Sequence, residues 1–215
     1  MHGILRCESV IVTAILLAAG YSTRFPGNKM LHKLNVRGRE VTLIDYIVSK
    51  FSEVFDDVVV VVGHEKDKVI NALGDKVKVI YNPRYDIGMS ESVKVGVKAV
   101  IKYSDIVAIH PADVIFILKE TLRTLVSKAK EMLKEGKSFI LIPKYGVKGG
   151  HPLLISNDLA KYVLEIKEEE RGLKGFLKRY HQYITYLKVS DVGVLVDIDT
   201  LEDLRNNIDL LLRET

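Results

Sequence analysis

Apolar runs and helical patterns alternate along most of the chain. Thr13–Ala18 (TAILLA), Val58–Val62 (VVVVV), Val77–Tyr81 (VKVIY), Ile106–His110 (IVAIH) and Phe139–Ile142 (FILI) read as strands. Most are continuous rather than alternating in polarity, the pattern of strands covered on both faces. Between them, 42–55, 65–73, 90–103 and 119–135 read as amphipathic helices. In the third, Val93, Val97, Val100 and Ile101 recur at helical spacing and Ser90 stands where an N-cap would. Such alternation predicts right-handed βαβ units and an α/β fold with a mainly parallel sheet under helices.

The last third departs from this rhythm. HPLLIS (151–156) reads as a short strand, 157–164 and 172–180 as short helices, and 183–189 and 193–198 as further strands before a closing helix. Two strands so close together predict an antiparallel portion at the sheet edge. There is no Pro-, Gly- or Ser-rich linker, low-complexity tract or internal repeat. The expectation is an N-terminal extension over 1–12 and one domain over 13–215.

Composition narrows the class without naming a chemistry. The 215 residues are 47% hydrophobic and 28% charged, with 32 cations against 28 anions, an ordinary soluble balance. A net charge of +4 is too mild to point to nucleic acid. Lys128, Lys130 and Lys134 alternate with glutamates as a solvated helix face does. The single cysteine, Cys7, excludes an intrachain disulfide and a multi-cysteine metal site. No apolar run approaches the roughly 18 residues of a membrane span, and residues 1–12 lack the apolar core of a signal peptide. A cytoplasmic protein is expected.

Four polar clusters fall where the strands would end, the edge at which open parallel sheets bind ligands. The first is LAAGYSTRFPGNK (17–29). Ala18, Ala19 and Gly20 would let a nucleotide approach the backbone, and Arg24 and Lys29 could neutralise a polyphosphate. It is neither GxxxxGK[ST], lacking glycine directly before Lys29, nor GxGxxG, having only Gly20 and Gly27. A basic surface loop is an equal reading. In HPAD (110–113), Asp113 follows a strand directly, where a carboxylate suits Mg2+ or caps the next turn. His110 reads as a packed strand-end histidine.

In VDIDT (196–200), strand alternation would put Asp197 and Asp199 on one face and Ile198 on the other. Paired carboxylates repel unless a cation lies near, while Asp199 or Thr200 also fits as N-cap of the helix that follows. Aspartates at 113 and at 197–199 would suit one Mg2+ bridging a triphosphate. NPRYDIGMSES (82–92) offers Asn82, a turn at Gly88, and Ser90 and Ser92 near a helix N-terminus, which binds anions readily. A plain loop with a capping serine explains it almost as well. KGGHP (148–152) is glycine-rich, with His151 before a proline.

Taken in order, these stretches resemble one family. LAAGYSTRFPGNK is similar to the signature loop of MobA-like nucleotidyltransferases, written LAAGxSxRxGxxK. NPRYDIGMSESVKVGV resembles the N-P…G-M-S-x-S segment of the molybdenum cofactor cytidylyltransferase branch. HPAD stands at its G-D-x-P segment, and GHP and DIDTLEDL resemble its G-H-P and D-I-D-T-P-E-D-L. The resemblance runs from about residue 13 to 205. It implies a Rossmann-like three-layer α/β/α nucleotidyltransferase fold. It also implies Mg2+ as cofactor and transfer of a nucleoside monophosphate to a phosphorylated acceptor, with release of pyrophosphate.

By matching position, the resemblance implies that Leu17, Ala18, Ala19 and Gly20 line base and ribose. Arg24 and Lys29 would hold the phosphates and the transition-state charge. Asn82, Gly88, Ser90 and Ser92 would lie near the nucleotide or acceptor, and Asp113 with one or both of Asp197 and Asp199 would bind the metal. The LAAG form leans to CTP over GTP, and the branch to molybdopterin as acceptor. The alternatives are GTP or another triphosphate, and a sugar phosphate or other phosphorylated small molecule. Ala112, Val114-Ile115, Leu201 and the Phe25-Pro26 spacing depart from the family pattern, and none removes a charged ligand. A regulatory nucleotide binder without turnover is the reading of another class, against which the retained Lys29, Asp113, Asp197 and Asp199 speak. Response-regulator-like and NAD-binding α/β domains lack their own motifs here.

Overall fold

The computed structural model describes residues 9–213, so Cys7 and most of the segment 1–12 lie outside the described residues. β1 (Val12–Ala18) leads through a 3-10 turn (Lys29–Leu31) to a hairpin of β2 (Lys33–Val36) and β3 (Arg39–Thr42). There follow α1 (Leu43–Ser52), β4 (Asp57–Val62), α2 (Lys66–Leu73), β5 (Lys78–Tyr81), α3 (Met89–Val100), β6 (Ile106–Pro111) and α4 (Lys119–Lys134). The last third holds β7 (Ile140–Tyr145), β8 (Lys148–Gly149), β9 (Leu153–Ser156), the one-turn α5 (Asn157–Ala160), α6 (Leu173–Arg179), β10 (Ile184–Lys188) and α7 (Leu201–Asn207).

Among the described residues, the main sheet runs β10-β7-β9-β6-β1-β4-β5, with β8 paired to β7. β1 lies inside the sheet, parallel to both β4 and β6. Alternation along it sends Leu16 to a core built with α1, α2, α4 and α7, and Ile15 to a core built with α3, α5 and α6. Helices thus cover both faces, which is why these strands carry unbroken Val, Ile and Leu. The outcome is the expected three-layer α/β/α arrangement. No helix among the described residues is long and apolar enough to cross a membrane.

The last third differs in detail from the sequence expectation. The antiparallel portion lies inside the sheet: β9 runs antiparallel between β6 and β7. Only residues 146–152 separate β7 from β9, too few for the dozen or more that a parallel crossover needs. β10 takes the edge instead, parallel to β7. The strand expected at 193–198 does not form. Val192–Leu195 is a 3-10 turn whose cap, Asp191, accepts from the Gly193 amide at 2.9 Å. A Cβ on Gly193 would overlap the Phe116 carbonyl, so this turn is pressed onto the loop after β6. The β2–β3 hairpin was not foreseen, although Arg37-Gly38, both at positive φ, is a two-residue hairpin turn.

Candidate active site

A cavity of about 360 Å³ opens at the carboxyl ends of β1 and β6, beside the loop that leads into α3. Leu17, Ala18, Ala19 and Gly20 form its floor. A Cβ built on Gly20 would meet no protein atom, so packing does not demand glycine there.

The loop after β1 is held by its own anchors. Phe25 and Met30 are buried at 6% and 4% exposure, and Gly27 takes φ +79°, a left-handed conformation that favours glycine. Asn28 accepts from the Met30 amide at 3.0 Å, and Ser22 Oγ accepts from the Lys29 amide at 3.3 Å. Lys29 is therefore aimed by a capped turn, not carried on a loose loop.

Its ammonium meets three oxygens. Lys29 Nζ donates to Asp113 Oδ2 at 2.6 Å and to the Ile198 carbonyl at 2.8 Å, and lies 3.6 Å from Asp199 Oδ1. Arg24 pairs with the other oxygen of Asp199 at 2.7 Å. The two aspartates, far apart in sequence, are joined through backbone: the Ile198 amide donates to the Asp113 carbonyl at 3.2 Å. Ala112 continues the sheet by donating to Leu17 at 3.0 Å and turns its methyl into the core, away from the cavity.

The other singled-out residues are placed less uniformly. Gly88 and Ser92 line the cavity. Asn82 is buried behind Ser92 and donates to its hydroxyl at 2.9 Å, while its carbonyl accepts from the Arg84 amide at 3.0 Å. Ser90 is buried and is not the cap of α3; that position is Gly88. The α3 N-terminus is instead met by Glu168, whose carboxylate accepts from the Ser90 amide at 3.0 Å. Asp197 is exposed and does not line the cavity, whereas Asp199 does. With no strand at 196–200, the two do not share a strand face. Thr200 caps α7 in a reciprocal box with Asp203, and these hydrogen bonds hold the Asp203 carboxyl below its usual value.

His110 is fully buried, and its Nε2 bonds the Val114 carbonyl at 2.9 Å. Burial holds both His110 and His151 below the usual imidazole value, with Asp113 and then Asp197 pulling His151 back up.

A profile of the MobA-like NTP transferase domain matches residues 14–183. The chain belongs to the MobA-like NTP transferase family. It is 31% identical over 122 residues to the bifunctional protein GlmU of Caldicellulosiruptor saccharolyticus, covering 55% of this chain and 26% of that relative. The chain thus matches only about a quarter of the length of that relative. Among solved structures it is similar to Rv0371c of Mycobacterium tuberculosis, with TM-score 0.77, 21% identity, and 93% and 98% of the two chains covered. That protein has also been solved in complex with manganese. A nucleotidyl transferase from Methanothermobacter is similar at TM-score 0.76 and 25% identity, covering 94% of this chain and 98% of that one.

The donor set at this cavity fits a small divalent metal ion. Asp113 and Asp199 offer hard carboxylate oxygens to one cavity, and a small dication takes one or two such groups together with phosphates and water. Among the described residues, no three His, Cys, Asp or Glu side chains gather into a cage of protein ligands alone. Sequence reasoning missed Tyr21, Tyr85 and Met89, which also line the cavity, and Glu168, which reaches α3 from a distant loop. Tyr21 sits directly after the LAAG floor, and that adjacency was the available signal.

Proposed function

We propose that this family member transfers CMP from CTP to the phosphate of molybdopterin, releasing pyrophosphate in a Mg2+-dependent reaction. The observation that carries the transferase reading is the convergence of Lys29, Asp113 and Asp199 beside the Leu17–Gly20 floor. An acceptor phosphate oxygen attacks the α-phosphorus, the bond to the β-phosphate bridging oxygen breaks, and its electrons leave with pyrophosphate. This displacement needs no protein nucleophile, so positioning and charge do the catalysis.

Lys29 and Arg24 hold the triphosphate and stabilise charge developing on the leaving group. Asp113 and Asp199 would hold Mg2+, which when bound neutralises phosphate charge. Ser92 faces the nucleotide, with Asn82 fixing its hydroxyl from behind. CTP and molybdopterin are supported by the LAAG form and by the segments at 82–92, 150–152 and 197–204.

The test is a pyrophosphate-release screen of CTP, GTP, ATP and UTP against molybdopterin and a panel of sugar phosphates. CTP with molybdopterin is expected to give the highest kcat/KM. A preference for GTP or for a sugar phosphate overturns the substrate assignment. Tight nucleotide binding without turnover on any acceptor overturns the transferase assignment.

A further inference from the structure

The cavity is chemically two-sided, and the sheet order explains why. β1 lies between β6 and β4. On the β6 side stand Asp113 and, joined to it, Asp199, with Lys29 and Arg24 between and around them. On the β4 and β5 side stand Tyr21, Tyr85 and Met89, with His64 packed against both tyrosines.

Tyr21 is the unusual member. Its ring is braced by His64, centroids 4.9 Å apart at 42°, and by Tyr85, 5.3 Å apart at 55°. Burial raises the Tyr85 hydroxyl above its usual value, and the Tyr21 hydroxyl beside it adds to the rise. Tyr85 is seated by Gly63, where a Cβ would come 2.5 Å from Tyr85 Cβ and 2.7 Å from the Ala19 carbonyl. Yet Tyr21 remains 47% exposed and Met89 58% exposed, both on the cavity wall. A large aromatic fixed by neighbours and left open toward a cavity is a stacking platform in waiting, since it loses little entropy on binding.

We infer that Tyr21 is the platform on which the nucleobase stacks, which fixes the direction of the nucleotide in the cavity. This rests on the transferase reading above. The planar heteroaromatic head lies on Tyr21 at the β4 side, base and ribose rest against the Leu17–Gly20 floor, and the triphosphate runs on to Arg24 and Lys29. Every base has a π-face, so stacking of this kind adds affinity without choosing among bases. Base choice belongs to edge-reading polar groups, and Tyr21 is a binding residue that serves all four nucleotides alike.

The experiment compares the full chain with Tyr21→Ala, Tyr21→Phe and Tyr21→Trp by calorimetry, using CTP, GTP, ATP, UTP and inorganic tripolyphosphate with Mg2+. Tyr21→Ala is expected to weaken the nucleotides that bind wild type by a common factor of about 5 to 150, the range of one base–aromatic stack. Tripolyphosphate should bind both proteins equally, and Tyr21→Phe should keep wild-type affinity. The chain has no tryptophan, so Tyr21→Trp gives a unique emission that CTP should quench and tripolyphosphate should not. Nucleotide affinity unchanged in Tyr21→Ala, or tripolyphosphate weakened as much as CTP, overturns the platform while leaving the transferase reading standing. Wild-type protein that binds tripolyphosphate but no nucleotide overturns both.

Discussion

Two lysines hold the segment after β6, one from the cavity and one from the core, and their partners differ in kind. Lys29 meets the carboxylates of Asp113 and Asp199. Lys50, on α1 and only 3% exposed, donates to the carbonyls of Ile115 and Ile117, both at 2.8 Å, and lies 4.6 Å from the Tyr46 ring. The reason for the second lysine is the segment itself. Val114, Ile115 and Ile117 are buried, so their carbonyls have lost water and need donors. Lys50 and His110 supply them. A buried cation can therefore be a structural part, filling backbone acceptors, while Lys29 pairs with carboxylates on the wall of a cavity.

Substitution should separate the two. Lys29→Met carries the largest expected effect: turnover in the pyrophosphate assay falls about 100- to 1,000-fold, the usual cost of deleting one preorganised electrostatic group. Its melting temperature should move by no more than a few degrees. Lys50→Met should do the reverse. Two buried carbonyls lose a donor, for a loss of about 2–4 kcal/mol and a Tm lowered by roughly 5–15 °C. Turnover per folded molecule at low temperature should stay within about tenfold of wild type. If Lys50→Met loses activity as heavily as Lys29→Met with an unchanged Tm, the division between cavity lysine and core lysine is wrong.

Legibility in the sequence follows the same division. Lys29 and Asp113 could be singled out because each closes an apolar run on a sheet edge, and because the motifs come in family order. Lys50 was equally legible and passed over: it falls seven residues after Leu43 and three after Ile47, on the apolar stripe of α1. A lysine there must find buried acceptors, but nothing local names them, since Ile115 and Ile117 come from another element. The same long-range dependence hid Glu168 at the α3 N-terminus, where a serine cap was expected. At 193–198 an apolar run read as a strand, yet its backbone bonds the Asp113 loop instead of a sheet neighbour. That difference leaves Asp199 facing the cavity and Asp197 exposed. The existence of β1, β4, β5, β6 and β7 was readable from polarity, whereas the reversal of β9 was fixed by connection length.

The smallest expected effect sharpens the core side of the comparison through pH. Burial holds His110 well below the ordinary imidazole value of 6.5, His151 and Lys50 add to the depression, and the bond to the Val114 carbonyl opposes it. The neutral ring thus donates from Nε2, and its Nδ1 lies buried without a partner in the protein. Above about pH 6.5 the imidazole is neutral in folded and unfolded chains alike, and its contribution to stability is fully present. As pH falls below that value, the unfolded chain takes up a proton that the folded chain refuses, and stability is lost. The loss approaches about 1.4 kcal/mol per pH unit for this one group, until the folded value is reached. His110→Gln keeps a donor for Val114 and does not titrate. Carboxylates such as Asp57 and Asp203, held low in the folded chain, destabilise with acid in both proteins and cancel in the difference. Denaturant-unfolding free energies from pH 7.5 to 5 should therefore fall less steeply in His110→Gln than in wild type. Parallel slopes would mean that the core side of the Asp113 segment is held without a proton-free histidine, leaving Lys50 alone as its brace.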